Sequence, residues 1–314
     1  MTKISRRVFE RPPSLVPAWV RAFSNATKPM GTLSDVPFLH MEMLPQRADS
    51  QLLARYRRLC GFVDGPWLPV TFPQVMAGAL HITMVTDPRF PAPAAGLVHL
   101  RNQIESLARI GADDPIHFAC HVDPPRQTAR GLEFDLVTLA TVHGNPTWRS
   151  VITMLARSPG ATATQGDQSP SQKTPVVAAD PAVAAPVRGG VAATGPVLRS
   201  LPLRAPEDLG RRYAAIAGDY NPIHLHAAAA KLFGFPRAIA HGMWSLARVV
   251  AECQDDMPPC PMRIDASFRK PVLLPAKLLL TAGATNSGVQ ATLKSVDGSK
   301  IHLVAELEPM SSAV

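Results

Sequence analysis

Ten residues, AGDYNPIHLH from Ala217 to His226, gather Asp219, Asn221, His224 and His226 around Pro222. Proline fixes its own φ and biases the preceding residue away from helix, so a turn separates the acid from the first histidine. That bend lets Asp219 and His224 converge on one point and hold a water between them. A neutral imidazole accepts a proton from such a water near physiological pH, and the carboxylate orients it or returns a proton to a substrate. Asn221 can clamp the loop through its side-chain amide. Further on, AHGMW puts Gly242 at the start of a helix, where backbone N–H groups lack intrahelical partners and the dipole is positive. With no Cβ, Gly242 lets a carbonyl oxygen approach, and a developing enolate gains about 2.7–4 kcal/mol per well-placed donor.

Other polar groups read as structure. His226 and His241 are taken as neighbours of the cluster, and Ser245 in MWSLA lacks the glycine elbow of a serine hydrolase. His117, Cys120 and His121 have metal-ligating types, but strand alternation puts both histidines on one face and the cysteine on the other, so no metal site is expected. GVAATG has no Lys-Ser/Thr after it and no strand before it, which excludes a phosphate loop.

The elements around the cluster follow from periodicity. Met243, Leu246, Ala247 and Val250 form the stripe of an amphipathic helix, which prolines 258, 259 and 261 stop. MRIDASFRK then alternates as a half-buried strand, with Met262, Ile264, Ala266 and Phe268 on one face. AKLLLTAGA, GVQATLKSV and KIHLVAELE read as three further strands, the last two joined at DGS by a hairpin turn. One long helix followed by an antiparallel sheet makes an α+β unit in which the sheet wraps the helix.

An N-terminal part, residues 1–157, and a C-terminal part, residues 197–314, flank a Pro/Ala-rich stretch, 158–196, that buries too little to order itself and reads as a flexible linker. The two parts share a weak repeat. YRRLCGFVDGPW aligns with YAAIAGDYNPIH, setting Phe62 opposite Asp219 and Trp67 opposite His224, and a helix-like segment and the strands LVHLRNQIES, IHFACHV, LEFDLVTLATVHG and WRSVITMLA follow the first copy. Only the second copy keeps the ionisable groups.

Composition bounds the partners. The chain has 314 residues, 46% hydrophobic and 18% charged, enough for a large core, and no apolar run reaches the roughly 20 residues of a membrane span. The four scattered cysteines and the lack of an apolar stretch behind the N-terminal arginines favour a reducing, cytoplasmic compartment. The net charge of +8 points to an anionic partner. Dispersed arginines, 6% aromatics and no nucleic-acid module leave a phosphorylated small molecule as the better fit.

The segment from Tyr213 to Trp244, with its Tyr, Gly-Asp, Asn-Pro-Ile-His and His-Gly-Met, resembles the MaoC-like, (R)-specific enoyl-CoA hydratase family, as does FRKPVLLPAKL. The resemblance runs from Leu201 to the C-terminus and implies a hot-dog fold. With the repeat it implies a double hot-dog, two antiparallel sheets each wrapped around a long helix, in which the degenerate N-terminal half accommodates the acyl chain. It further implies cofactor-free, reversible addition of water to a trans-2-enoyl thioester in fatty acid metabolism, giving an (R)-3-hydroxyacyl product. Asp219 and His224 would be the acid/base pair, Asn221 their support and the Gly242 N–H the oxyanion donor. The family's usual acid two places after the histidine is His226 here. CoA, or an acyl-carrier protein, would be the thioester carrier, and Arg237, Arg269 and Lys270 are the candidate phosphate contacts. One site per chain and a homodimer of such chains are expected. Against these stand a hot-dog thioesterase and a non-catalytic acyl-CoA-binding module.

Overall fold

Apolar alternation and two glycine-capped helices set the architecture. The computed structural model describes residues 5–24, 39–94, 97–157 and 195–310. The first half contains β1 (Ser5–Phe9), α1 (Leu15–Ser24), β2 (Leu39–Gln46), α2 (Ser50–Cys60), α3 (Phe72–Met76), α4 (Gly78–Val85), β3 (Val98–Ser106), β4 (Ile116–Val122), β5 (Arg126–Thr128), β6 (Gly131–Val142) and β7 (Asn145–Arg157). The second contains β8 (Val197–Ala205), α5 (Leu209–Ala217), α6 (Pro222–Leu225), α7 (Ala227–Leu232), α8 (Gly242–Glu252), β9 (Met262–Phe268), β10 (Ala276–Ala284), β11 (Val289–Ser295) and β12 (Ile301–Pro309). Almost all of the expected linker lies outside the described residues.

This is the double hot-dog, with a refinement. The two sheets are one, ordered β1-β2-β4-β6-β7-β3-β9-β12-β11-β10-β8, with β5 on β6. Antiparallel β3 and β9 make the seam, where Ile104 sits opposite Ile264 and both are fully buried. β1 pairs with β2 in parallel, an addition no sequence signal announced. β8 also went unread because Pro202 interrupts it. It is tolerated there because β8 is an edge strand, where a missing N–H breaks no second ladder.

The expected C-terminal helix is α8, which buries Trp244, Leu246, Ala247, Val249 and Val250 and packs on β11 and β12. It ends at Glu252, ahead of the prolines. The corresponding N-terminal helix is not one long element but α3 and α4, divided at Ala77. Gly78 follows, where a Cβ would stand 3.0 Å from the carbonyl oxygen of Ala217, so close packing on the other half is bought with a helix-weakening residue.

The repeat is real in three dimensions, but its alignment needs correction. α2 and α5 both end on a left-handed glycine, Gly61 at φ 84° and Gly218 at φ 71°, and the buried rings of Tyr56 and Tyr213 lie 6.4 Å apart. Phe62 therefore does follow its glycine as Asp219 does. Trp67 does not match His224. Leu68 donates its N–H to Ile110 O as Ala240 donates to Val272 O, and Ala112 donates to Pro66 O as Leu274 donates to Ala238 O. These paired bonds equate Trp67 with Ile239. The first half lacks the whole α6–α7 excursion on which His224 rides.

Candidate active site

The bend is built by local bonds. Gly218 turns the chain out of α5, and Trp19 of α1 donates its indole N–H to the Gly218 carbonyl at 3.1 Å. Asp219 Oδ1 accepts from the Asn221 N–H at 3.1 Å, and Asn221 Oδ1 accepts from the Ile223 N–H at 3.4 Å, so Asn221 is the N-cap of α6 with Pro222 in its first turn. One turn later His224 points inward and is buried.

His224 Nδ1 lies 2.8 Å from Ile239 O. A carbonyl only accepts, so Nδ1 carries the proton and Nε2 keeps its lone pair. Burial lowers the pKa of His224, favouring the neutral ring. Donor-type atoms of Asp219, His224 and His241 all lie within 4.8 Å of one another. That spacing admits one water hydrogen-bonded to both Asp219 and His224.

His241, expected as a structural neighbour, is part of the cluster. As N-cap of α8 it stacks on His224 with centroids 3.7 Å apart and an interplanar angle of 26°, and Tyr213 packs against it at 4.9 Å. Its Nε2–H donates to Asp219 O at 3.0 Å, and burial, then the adjacent His224, push its pKa down to about 3. The two histidines and the carboxylate have the donor types of a metal site. Stacked rings, however, aim their in-plane lone pairs side by side rather than at one point, which suits a shared ion poorly.

Gly242 opens α8, and its amide has no intrahelical partner. A Cβ there would stand 3.0 Å from Phe268 Cε1, so a larger residue would press on the Phe268 ring, which also lines the cavity. Asp219, His224, His241 and Gly242 line one cavity of about 300 Å³, whose far wall is apolar and comes from the first half: Ile82 and Val85 of α4, Val98 of β3, Ile152 and Met154 of β7. His99 lines it as well, packed on Phe268 at 4.5 Å and held near a pKa of about 4 by burial. Trp19 and His99 carried no sequence signal, since each reaches the cavity from a distant element.

The three candidate cations divide. Arg269 and Lys270 are exposed and line the cavity, whereas Arg237 lies outside its lining and donates to Pro275 O at 3.4 Å. Ser245 is buried inside α8. His226 is exposed. On β4, Cys120 faces the core while His117 and His121 face away and meet Glu42 and Asp123, at 3.6 and 3.1 Å, so the three do not assemble.

Comparison with known proteins gives the family. Residues 190–306 match the family model of the MaoC like domain. Over 284 residues, 88% of this chain and 93% of the relative, the sequence is 34% identical to 3-hydroxyacyl-thioester dehydratase X of Mycobacterium tuberculosis. The chain belongs to the MaoC-like dehydratase family. The crystal structure of HtdX from the same organism superposes on this MaoC-like chain with a TM-score of 0.69 at 30% identity, covering 85% of this chain and 98% of that one. A MaoC-like dehydratase from Phytophthora capsici, 14% identical, shares the fold at a TM-score of 0.58, covering 90% and 100%.

Proposed function

We propose that this protein reversibly hydrates a trans-2-enoyl thioester to an (R)-3-hydroxyacyl thioester. The observation that carries the reading is a neutral His224 with its Nε2 lone pair unspent by the Ile239 bond, clustered with Asp219 in a cavity that also holds the opening glycine of α8. Asp219 orients the water and His224 Nε2 takes its proton as the oxygen bonds to C3. The electron pair of the C2–C3 double bond moves onto the thioester oxygen, where the Gly242 N–H stabilises the enolate. The proton then returns to C2, so that one water has been added. Dehydration runs the same steps backwards, the direction for which the mycobacterial relative is named.

The first half is assigned the acyl chain, since it supplies the apolar wall. Arg269 and Lys270 are assigned the phosphates of CoA or of a carrier protein's prosthetic arm. No described helix is long and apolar enough to cross a membrane, and the four cysteines are free, which fits the cytoplasmic placement proposed.

Purified protein given crotonyl-, octenoyl- and longer enoyl-CoAs, with enoyl-thioester absorbance and free thiol followed together, tests the reading. Loss of absorbance without thiol release is the expected result. Thiol release would make the protein a thioesterase, and neither change a binder.

A further inference from the structure

The paired backbone bonds that relate the halves also relate two cavities. The second, of about 320 Å³ against about 300 Å³ for the first, is lined by Phe62, Trp67, Leu68, Val70 and Trp148 from the first half and by Val250, Gln254, Met257 and Met262 from the second. Phe62 stands where Asp219 does and Val70 where Gly242 does. Val250 of α8 and Gln254 just beyond its end supply wall from the second half. Without the excursion that carries His224, this cavity has no histidine, yet with Phe62 and Val70 in place of smaller residues it remains as large as the first. A packed interior ordinarily closes such a space.

The rim carries one cation and two exposed acids, and of these only the cation lacks an ion-pair partner among the described residues. Arg109 lines the cavity, is exposed and has no carboxylate partner among the described residues. It lies at the counterpart of Pro271, next to that of Lys270: the N–H of Leu107 meets Thr147 O as the N–H of Arg269 meets His302 O, which fixes the register. The rim acids Asp64 and Asp255 are paired with Arg57 and Arg199, at 3.5 and 3.4 Å. We infer that this cavity is a second, non-reactive binding site for an amphiphile with a single aliphatic chain and an anionic head, the chain inside and the anion on Arg109. A fatty acid carboxylate and the phosphates of an acyl-CoA share that chemistry. The inference does not depend on the reaction assigned to the first cavity.

Photolabelling of the full chain tests it. A palmitate analogue with a mid-chain diazirine, and a CoA thioether of the same chain, are each crosslinked and the labelled peptides mapped. The expected result is labelling of residues 62–70 or 254–262 by at least one probe, and which probe labels identifies the head group. Met257→Trp, which fills the cavity, should reduce that labelling about tenfold. Arg109→Glu, an exposed change that spares the fold, should reduce it about fivefold. Labels confined to the peptides of the first cavity, or second-cavity labels indifferent to both substitutions, would overturn the inference. Neither readout involves turnover, so a failed hydratase assay and a failed second site are told apart.

Discussion

At the scale of single residues, the decisive feature is how each ring nitrogen is committed. The Ile239 carbonyl takes the Nδ1–H of His224 and the Asp219 carbonyl the Nε2–H of His241, which leaves lone pairs on His224 Nε2 and on the unpartnered His241 Nδ1; with the His241 pKa pushed down to about 3, His224 is the base we propose. Asp219→Asn or His224→Ala should therefore lower kcat/KM for enoyl-CoA hydration by about 10²–10⁴, with the circular dichroism spectrum unchanged. Near-normal hydration by either variant would remove that residue from the mechanism. Burial also fixes the pH response. Because the His224 pKa is lowered, the working unprotonated ring persists below the usual histidine value of about 6.5, and kcat/KM should stay level from neutrality to below that value before falling. Stability has the same sign. His81 and His99, both held near 4 by burial, and His241, near 3, bind protons in the unfolded chain before they do in the folded one. Their contribution is intact above about 6.5 and is lost as the pH falls from there toward the folded values, which a series of melting temperatures between pH 7 and 4 would register.

At the scale of elements, a four-residue helix does the positioning. α6 is too short to be stable alone, so the Asn221 cap and Pro222 hold the turn that aims His224. Asn221→Ala should cost about 1 kcal/mol and lower kcat, whereas Asn221→Ser, which caps equally well, should restore most of both; thermal melts and steady-state rates measure this. A rate indifferent to both substitutions would make Asn221 a bystander. This turn was legible in the sequence because Asp, Asn, Pro and His each have a narrow local role. α8 and β9 to β12 were legible because their apolar period matches their burial. β8 was not, since its proline is harmless only at a sheet edge, and edges are set by partners elsewhere in the chain. The division of α3 from α4 was equally hidden, because it answers to the Ala217 carbonyl of the other half.

At the scale of the whole molecule, the halves differ by one excursion, α6–α7, that only the second carries. The Trp67–His224 alignment failed because an ungapped comparison cannot see a missing excursion, and the seam of β3 with β9 is invisible to any reading confined to one half. The seam nonetheless shapes the first cavity, since it joins the two halves whose α4 and Asp219 bend both line it. Ile82, buried on α4, lines the cavity wall. Ile82→Trp should leave hydration of crotonyl-CoA close to normal, because the short chain ends near the reacting carbons. Longer enoyl-CoAs should suffer in proportion to what no longer fits. A buried methylene is worth about 0.8 kcal/mol, so kcat/KM should fall roughly fourfold for each one excluded. A panel of chain lengths separates this from general damage. A uniform drop across the panel would mean that α4 supports the site without contacting the chain, and a flat profile would move the acyl group out of the first half altogether.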